Sequence, residues 1–182
     1  DDASRTVLWS VAGAQLEFLD TAMAGRPAQQ RLREVGRELL APQLHRLGWV
    51  PSSKEDEPTA EWRGALIALL ARFDHAPTIA RAGRAFDDDD DAGTGKLPPS
   101  LREPVTIAAG MHADGARFER LLARLKAASG EEERWMLAQA LAAGRDAQRA
   151  ERLLAEALAG AAPANLASAL PGLVARLSPF GE

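Results

Sequence analysis

Apolar residues recur along this chain in blocks with helical spacing, and the blocks end on glycine, proline or runs of acids. Residues 5–23 hold Val7, Leu8, Trp9, Val11, Leu16, Phe18, Leu19 and Met23, with Ser10, Glu17 and Asp20 as a narrow polar face. A helix apolar on most sides is a buried one, so burial is expected here. Gly25 and Pro27 end it. Residues 28–47 place Leu32, Val35, Leu39, Leu40, Leu44 and Leu47 on one stripe, and Gly48 supplies a stop. A polar loop is expected over 50–58. Residues 60–73 give the cleanest stripe, through Trp62, Ala65, Leu66, Leu69, Leu70 and Phe73. After Pro77 a shorter helix carries Ile79, Ala82, Gly83 and Phe86, and 87–98 reads as a flexible acidic loop.

The second half repeats the theme. Leu101, Val105, Ile107, Ala108 and Met111 form a helix for which Ser100 and Glu103 have capping-box spacing, although Pro104 removes a helical donor. Asp114 is placed to cap a helix striped by Phe118, Leu121, Leu122 and Leu125. Ser129 and Glu132 suggest another capping box, ahead of Leu137, Ala140 and Leu141. Gly144 ends that helix, and Asp146 can cap the next, lined by Ala150, Leu153, Leu154, Ala157 and Leu158. Gly160 and Pro163 break again, and 164–177 offers Leu166, Leu170, Leu173 and Leu177 around Pro171.

No segment alternates with period two long enough to form a strand, so the fold class is all-α. Helix pairs over 60–87, 99–127 and 131–159 recur at roughly 30 to 40 residues, which fits HEAT-like antiparallel pairs stacked into a right-handed α-solenoid. The expected organisation is a single helical-repeat domain over 1–182, with leading helices in 1–48 and HEAT-like pairs in 59–178. Composition agrees: alanine fills 38 of 182 positions, valine and isoleucine together only 9, and tyrosine none. Alanine is the strongest helix former, and β-branched residues favour strands.

Charge narrows the partners. Lys+Arg total 22 against 26 Asp+Glu, a formal charge of −4. Nucleic-acid binders carry a basic excess or stripe, so none is expected as a partner. The arginines, spread over many helices, read as solvated faces. No apolar run approaches the ~20 residues of a membrane span, so no membrane partner is expected. The compartment stays open: a soluble protein, cytoplasmic or periplasmic. The first residues, Asp1-Asp2, suggest a piece of a larger chain.

Catalytic chemistry finds no foothold. With zero Cys there is no thiolate nucleophile and no Cys-ligated zinc. The three histidines, His45, His75 and His112, lack the i, i+4 spacing of a zinc helix and read as surface or boundary residues. Gly93-Thr94-Gly95-Lys96 resembles a phosphate loop, but Leu97 stands where the hydroxyl belongs and no strand precedes it. Counted as a calcium loop from Asp87, the required Gly and Glu positions hold Ala92 and Pro98. Trp9, Trp49, Trp62 and Trp135 read as core or boundary packing. Catalytic, metal and cofactor residues are therefore expected to be none.

An ordered set of short strings adds a family. It comprises Arg46-Leu47-Gly48-Trp49, Trp62-Arg63…Leu70, Ala82-Gly83-Arg84-Ala85-Phe86, Leu97-Pro98-Pro99-Ser100-Leu101-Arg102-Glu103-Pro104-Val105, and Glu132…Leu137…Ala140-Leu141 with Leu153-Leu154…Leu158. Together they resemble the C-terminal helical domain of zinc aminopeptidases of the aminopeptidase N type, best over residues 44–158. Thr106, where the family often has Tyr, is a departure, and so is the lack of a Trp near Phe118. The resemblance implies a non-catalytic domain that caps the active site and shapes the cavity admitting peptides. It implies an upstream catalytic domain in the same chain as partner, with its His-Glu-x-x-His zinc site there, and peptide substrates. Neither that motif nor Gly-x-Met-Glu-Asn occurs here, so no site residue carries over and the substrate-binding residues stay unassigned. The periodicity alone also allows a stand-alone scaffold binding a protein or peptide in a concave groove.

Overall fold

The computed structural model describes residues 2–92, 97–161 and 163–177, which form helices joined by turns and short loops, with no strand among them. The helices are α1 (Asp2–Ala22), α2 (Pro27–Leu47), α3 (Glu57–Arg72), α4 (Ala76–Ala92), α5 (Pro99–Met111), α6 (Gly115–Ala127), α7 (Glu131–Ala142), α8 (Ala147–Glu156) and α9 (Ala164–Leu177). A single π turn, Ala157–Ala161, extends α8. No helix among the described residues is long and apolar enough to cross a membrane. The chain divides into two compact units, 1–105 and 106–182, with the boundary inside α5.

The first unit is organised around α3, which packs against α1, α2 and α4. Its Trp62, Leu66, Ile67, Leu70 and Phe73 are essentially inaccessible to water. Asp56 caps its start, accepting the Thr59 N–H at 3.1 Å, so the helix begins three residues before the apolar stripe does. Two glycines let neighbours reach the large rings of this core. A Cβ on Gly13 of α1 would stand 2.9 Å from Trp62, and one on Gly36 of α2 would stand 2.6 Å from the Phe73 ring. The buried line of α2 is accordingly Gly36, Leu40 and Leu44, while Leu39 is exposed.

The second unit is organised around α7, which packs against α6, α8 and α9. Its buried set includes Phe118, Leu121, Leu122, Leu125, Leu137, Leu141, Leu153, Leu166, Leu170 and Leu173. Gly110 sets its tightest approach: a Cβ there would lie 2.3 Å from the Ala140 carbonyl oxygen. Asp114 and Asp146 cap α6 and α8 through the N–H groups of Arg117 and Arg149, as their spacing predicts.

Several local expectations give way to packing. The acidic run Asp87–Asp91 is not a loop but the end of α4. Ala82, Phe86 and Asp89 share a buried face at i, i+4 and i+7, and Asp89 Oδ1 accepts the Leu97 N–H at 2.8 Å, which holds the helix through its acids. The Gly93–Lys96 string lies outside the described residues. Helix α5 starts at Pro99 rather than behind a Ser100 cap, because proline fits the first helical position without losing a bond. Pro104 stays inside that helix, its ring placed over Gly64 of α3, where a Cβ would come within 3.3 Å. Gly130, not Ser129, is the N-cap residue of α7. Leu158 is 90% exposed: five residues after the buried Leu153 it falls on the other side of the helix, in the π turn that follows α8. The outer side of α1 is open to solvent, contrary to the burial its sequence predicts.

Candidate functional site

Two concavities of the first unit are built on α2 and the turn between α3 and α4. That turn is short, and Asp74 occupies it with φ 62°, a left-handed conformation that Asp tolerates better than bulkier residues. Two arginines one helical turn apart on α2 grip it. Arg33 Nη1 donates to Asp74 Oδ2 at 3.1 Å, and Arg37 Nη1 donates to the Phe73 carbonyl at 2.5 Å.

Arg33 also reaches inward. Its Nε and Nη2 donate to the two oxygens of Asp20 on α1, at 2.6 and 3.1 Å. Arg72 Nε donates to Asp20 Oδ2 at 3.0 Å, and Gln29 Nε2 to Oδ1 at 3.2 Å. Asp20 is wholly buried. Burial pushes its carboxyl upward, but the hydrogen bond and charge of Arg33 and the charge of Arg72 outweigh this and hold it below the usual carboxylate value. Beside this network lies a polar cleft of about 500 Å³, lined by Gln29, Gln30, Asp74 and the arginines Arg26, Arg33 and Arg37. It sits at the N-terminus of α2, whose first turn holds no acid and no side-chain cap. Its lining is positive on balance.

The second concavity, of about 220 Å³, lies between the end of α2 and the start of α4. Trp49 and Arg81 form one wall, the guanidinium 4.8 Å from the ring centroid. His45 and His75 both line it, so folding brings together two histidines 30 positions apart in sequence. His75 Nδ1 lies 2.8 Å from Thr78 Oγ1, and Thr78 is buried. Burial, and then the charge of Arg37, lowers the imidazole pKa, so the ring is neutral at pH 7. A further buried ion pair, Arg63 with Glu55, lies at the end of α2. Arg63, only 2% exposed, forks onto both Glu55 oxygens and donates to the Gly48 and Leu47 carbonyls at the end of α2. It thus satisfies carbonyls that the helix leaves without partners and ties down the 48–56 segment.

These placements correct the view of the arginines as solvated: Arg33, Arg63 and Arg72 are structural ties. For Arg63 the sequence held a signal, since it shares a stripe with Ile67 and Leu70 at i+4 and i+7. For Asp20 with Arg33 and Arg72, 13 and 52 positions away, it held none. His112 belongs to the second unit, apart from the other two histidines in sequence and unit. Among the described residues, no three of His, Asp and Glu are grouped so as to hold a metal ion.

The first unit is thus an all-helical module with one concavity rich in guanidinium donors and a second walled by Trp49 and Arg81. Comparison with known proteins places the chain more closely. The chain belongs to the ERAP1-like C-terminal domain family, which it matches over residues 2–178. It is 36% identical over 81 residues to Aminopeptidase M1 of Arabidopsis thaliana, covering 42% of this chain and 9% of that protein. It is 23% identical over 151 residues to Aminopeptidase N of Plutella xylostella, covering 83% of this chain and 16% of that protein. The chain thus spans less than a fifth of the length of either relative.

Proposed function

We propose that this chain is the non-catalytic C-terminal domain of a zinc aminopeptidase. In this reading it caps the active site of an upstream catalytic domain in the same polypeptide and shapes the cavity that admits peptides. The observation that carries it is the family match over nearly the whole chain, joined to relatives named aminopeptidases of which it covers only a small part. Residues 1–182 then form one helical-repeat domain, with pairs such as α3/α4 and α7/α8 as the HEAT-like units of a solenoid. Zinc and the groups that cleave the N-terminal residue belong to the upstream domain.

The test is the polypeptide that the gene encodes. We expect a His-Glu-x-x-His segment upstream of residue 1 and zinc-dependent turnover of an amino-acid anilide by the whole protein, lost on chelation. Residues 1–182 alone are expected to give no turnover, with or without zinc. A gene with no metallopeptidase segment sinks the proposal. The stand-alone scaffold, favoured by the aromatic and cationic wall of the smaller concavity, is then the remaining reading.

A further inference from the structure

Helix α1 is amphipathic in the wrong direction. The side turned toward α2 and α3 is marked by Thr6, Gly13 and Asp20, all buried and spaced by seven. The opposite side carries the large apolar residues: Val7 is 55% exposed, Leu8 69%, Val11 56%, Phe18 65% and Leu19 38%. Val7, Val11 and Phe18 fall at i, i+4 and i+11, one continuous stripe, and Leu8 and Leu19 run beside it. No charged residue occurs between Thr6 and Leu16. A helix face facing water does not usually lack charge over three turns, whereas one facing another helix does.

We infer that this face is a docking surface, and that its occupant is the segment of the same polypeptide that precedes α1. The inference rests on the reading above, that the chain is the C-terminal part of a longer protein. The family is a C-terminal domain and the chain covers 9% and 16% of its relatives, so most of such a polypeptide lies before α1. Helix–helix connections are typically about 2–8 residues, which folds a preceding helix back along the helix that follows. The face offers what such a helix needs. Val11 and Phe18 project as ridges, and the exposed Ala14, three residues after the first and four before the second, lets a backbone approach between them. The covering segment must be apolar and uncharged where it meets this stripe, as the stripe itself is.

The chain has no cysteine, so Val11→Cys and Phe18→Cys each add one thiol at an exposed position, and neither alters the interior of this unit. Each is placed in the polypeptide as the gene encodes it, and maleimide labelling of that peptide is followed by mass spectrometry. The expected result is labelling about 100-fold slower in the folded protein than in urea, independent of protein concentration, as for a site reached only by local opening. A photo-cross-linking amino acid at Leu8 is expected to join, within one molecule, to the segment before residue 1. Labelling as fast as in urea, or cross-links only between molecules, overturns the inference. Protection that disappears on dilution assigns the face to a second copy and likewise overturns it. A peptidase upstream, with the thiol of the Val11→Cys variant open to label, defeats the docking inference alone. Protection of that thiol by an upstream segment that is no peptidase defeats the functional reading alone.

Discussion

Replacing Asp20 with Asn tests how the first unit is held together. The carboxylate is wholly buried and accepts from Arg33 on α2 at 2.6 and 3.1 Å and from Arg72 on α3 at 3.0 Å, joining three helices at one point. Asn preserves the shape but not the charge, and turns an amide N–H₂ toward guanidinium donors. Removing one member of a buried ion pair costs about 3–5 kcal/mol, because the charge left behind is uncompensated. The side chains of Arg33 and Arg72 are 21% and 16% exposed and regain some water, which favours the lower end. We therefore expect a loss of about 3 kcal/mol and a fall in Tm of about 10 °C. The assay is urea unfolding followed by far-UV circular dichroism, at constant m. The pH dependence adds a second check. The folded pKa of Asp20 lies below the unfolded value of 3.8, so its contribution is full above that value and is lost as pH falls through the folded pKa. The gap between wild type and Asp20→Asn should therefore be constant near neutrality and close in strong acid. A difference under about 1 kcal/mol at pH 7, where a buried pair should count fully, would refute the reasoning. So would a gap unchanged at low pH.

Two further substitutions probe other contacts. Gly110→Ala should destabilise by about 1–3 kcal/mol despite alanine's better helix propensity, since the new methyl meets the Ala140 carbonyl oxygen at 2.3 Å; thermal melts that match or exceed wild type would count against so close an approach. Arg63→Met should cost about 3–5 kcal/mol by stranding Glu55, whose side chain is 8% exposed, and should speed proteolysis within 48–56. Adding Glu55→Leu should restore part of that loss, and a double variant no more stable than the single would show the pair is not the cause.

The helices, most of their stops and the caps at Asp114 and Asp146 were legible in the residues alone, because these depend on neighbours three or four residues away. So was the family resemblance, through ordered strings that the match over residues 2–178 bears out. Features set by distant partners emerged only with the packed chain. The acids at 87–91 stay helical because Asp89 packs and accepts the Leu97 N–H. Two histidines come to line one concavity between the end of α2 and the start of α4, and Asp20 draws in two arginines. Helix α1 shows the division most directly. Its residues declare a helix meant for burial, since apolar spacing is local information. Which side is covered depends on the neighbours present, and Gly13 over Trp62 together with Asp20 between two arginines turns the more polar side inward. The apolar side is left outward, and no local pattern could have told the two apart.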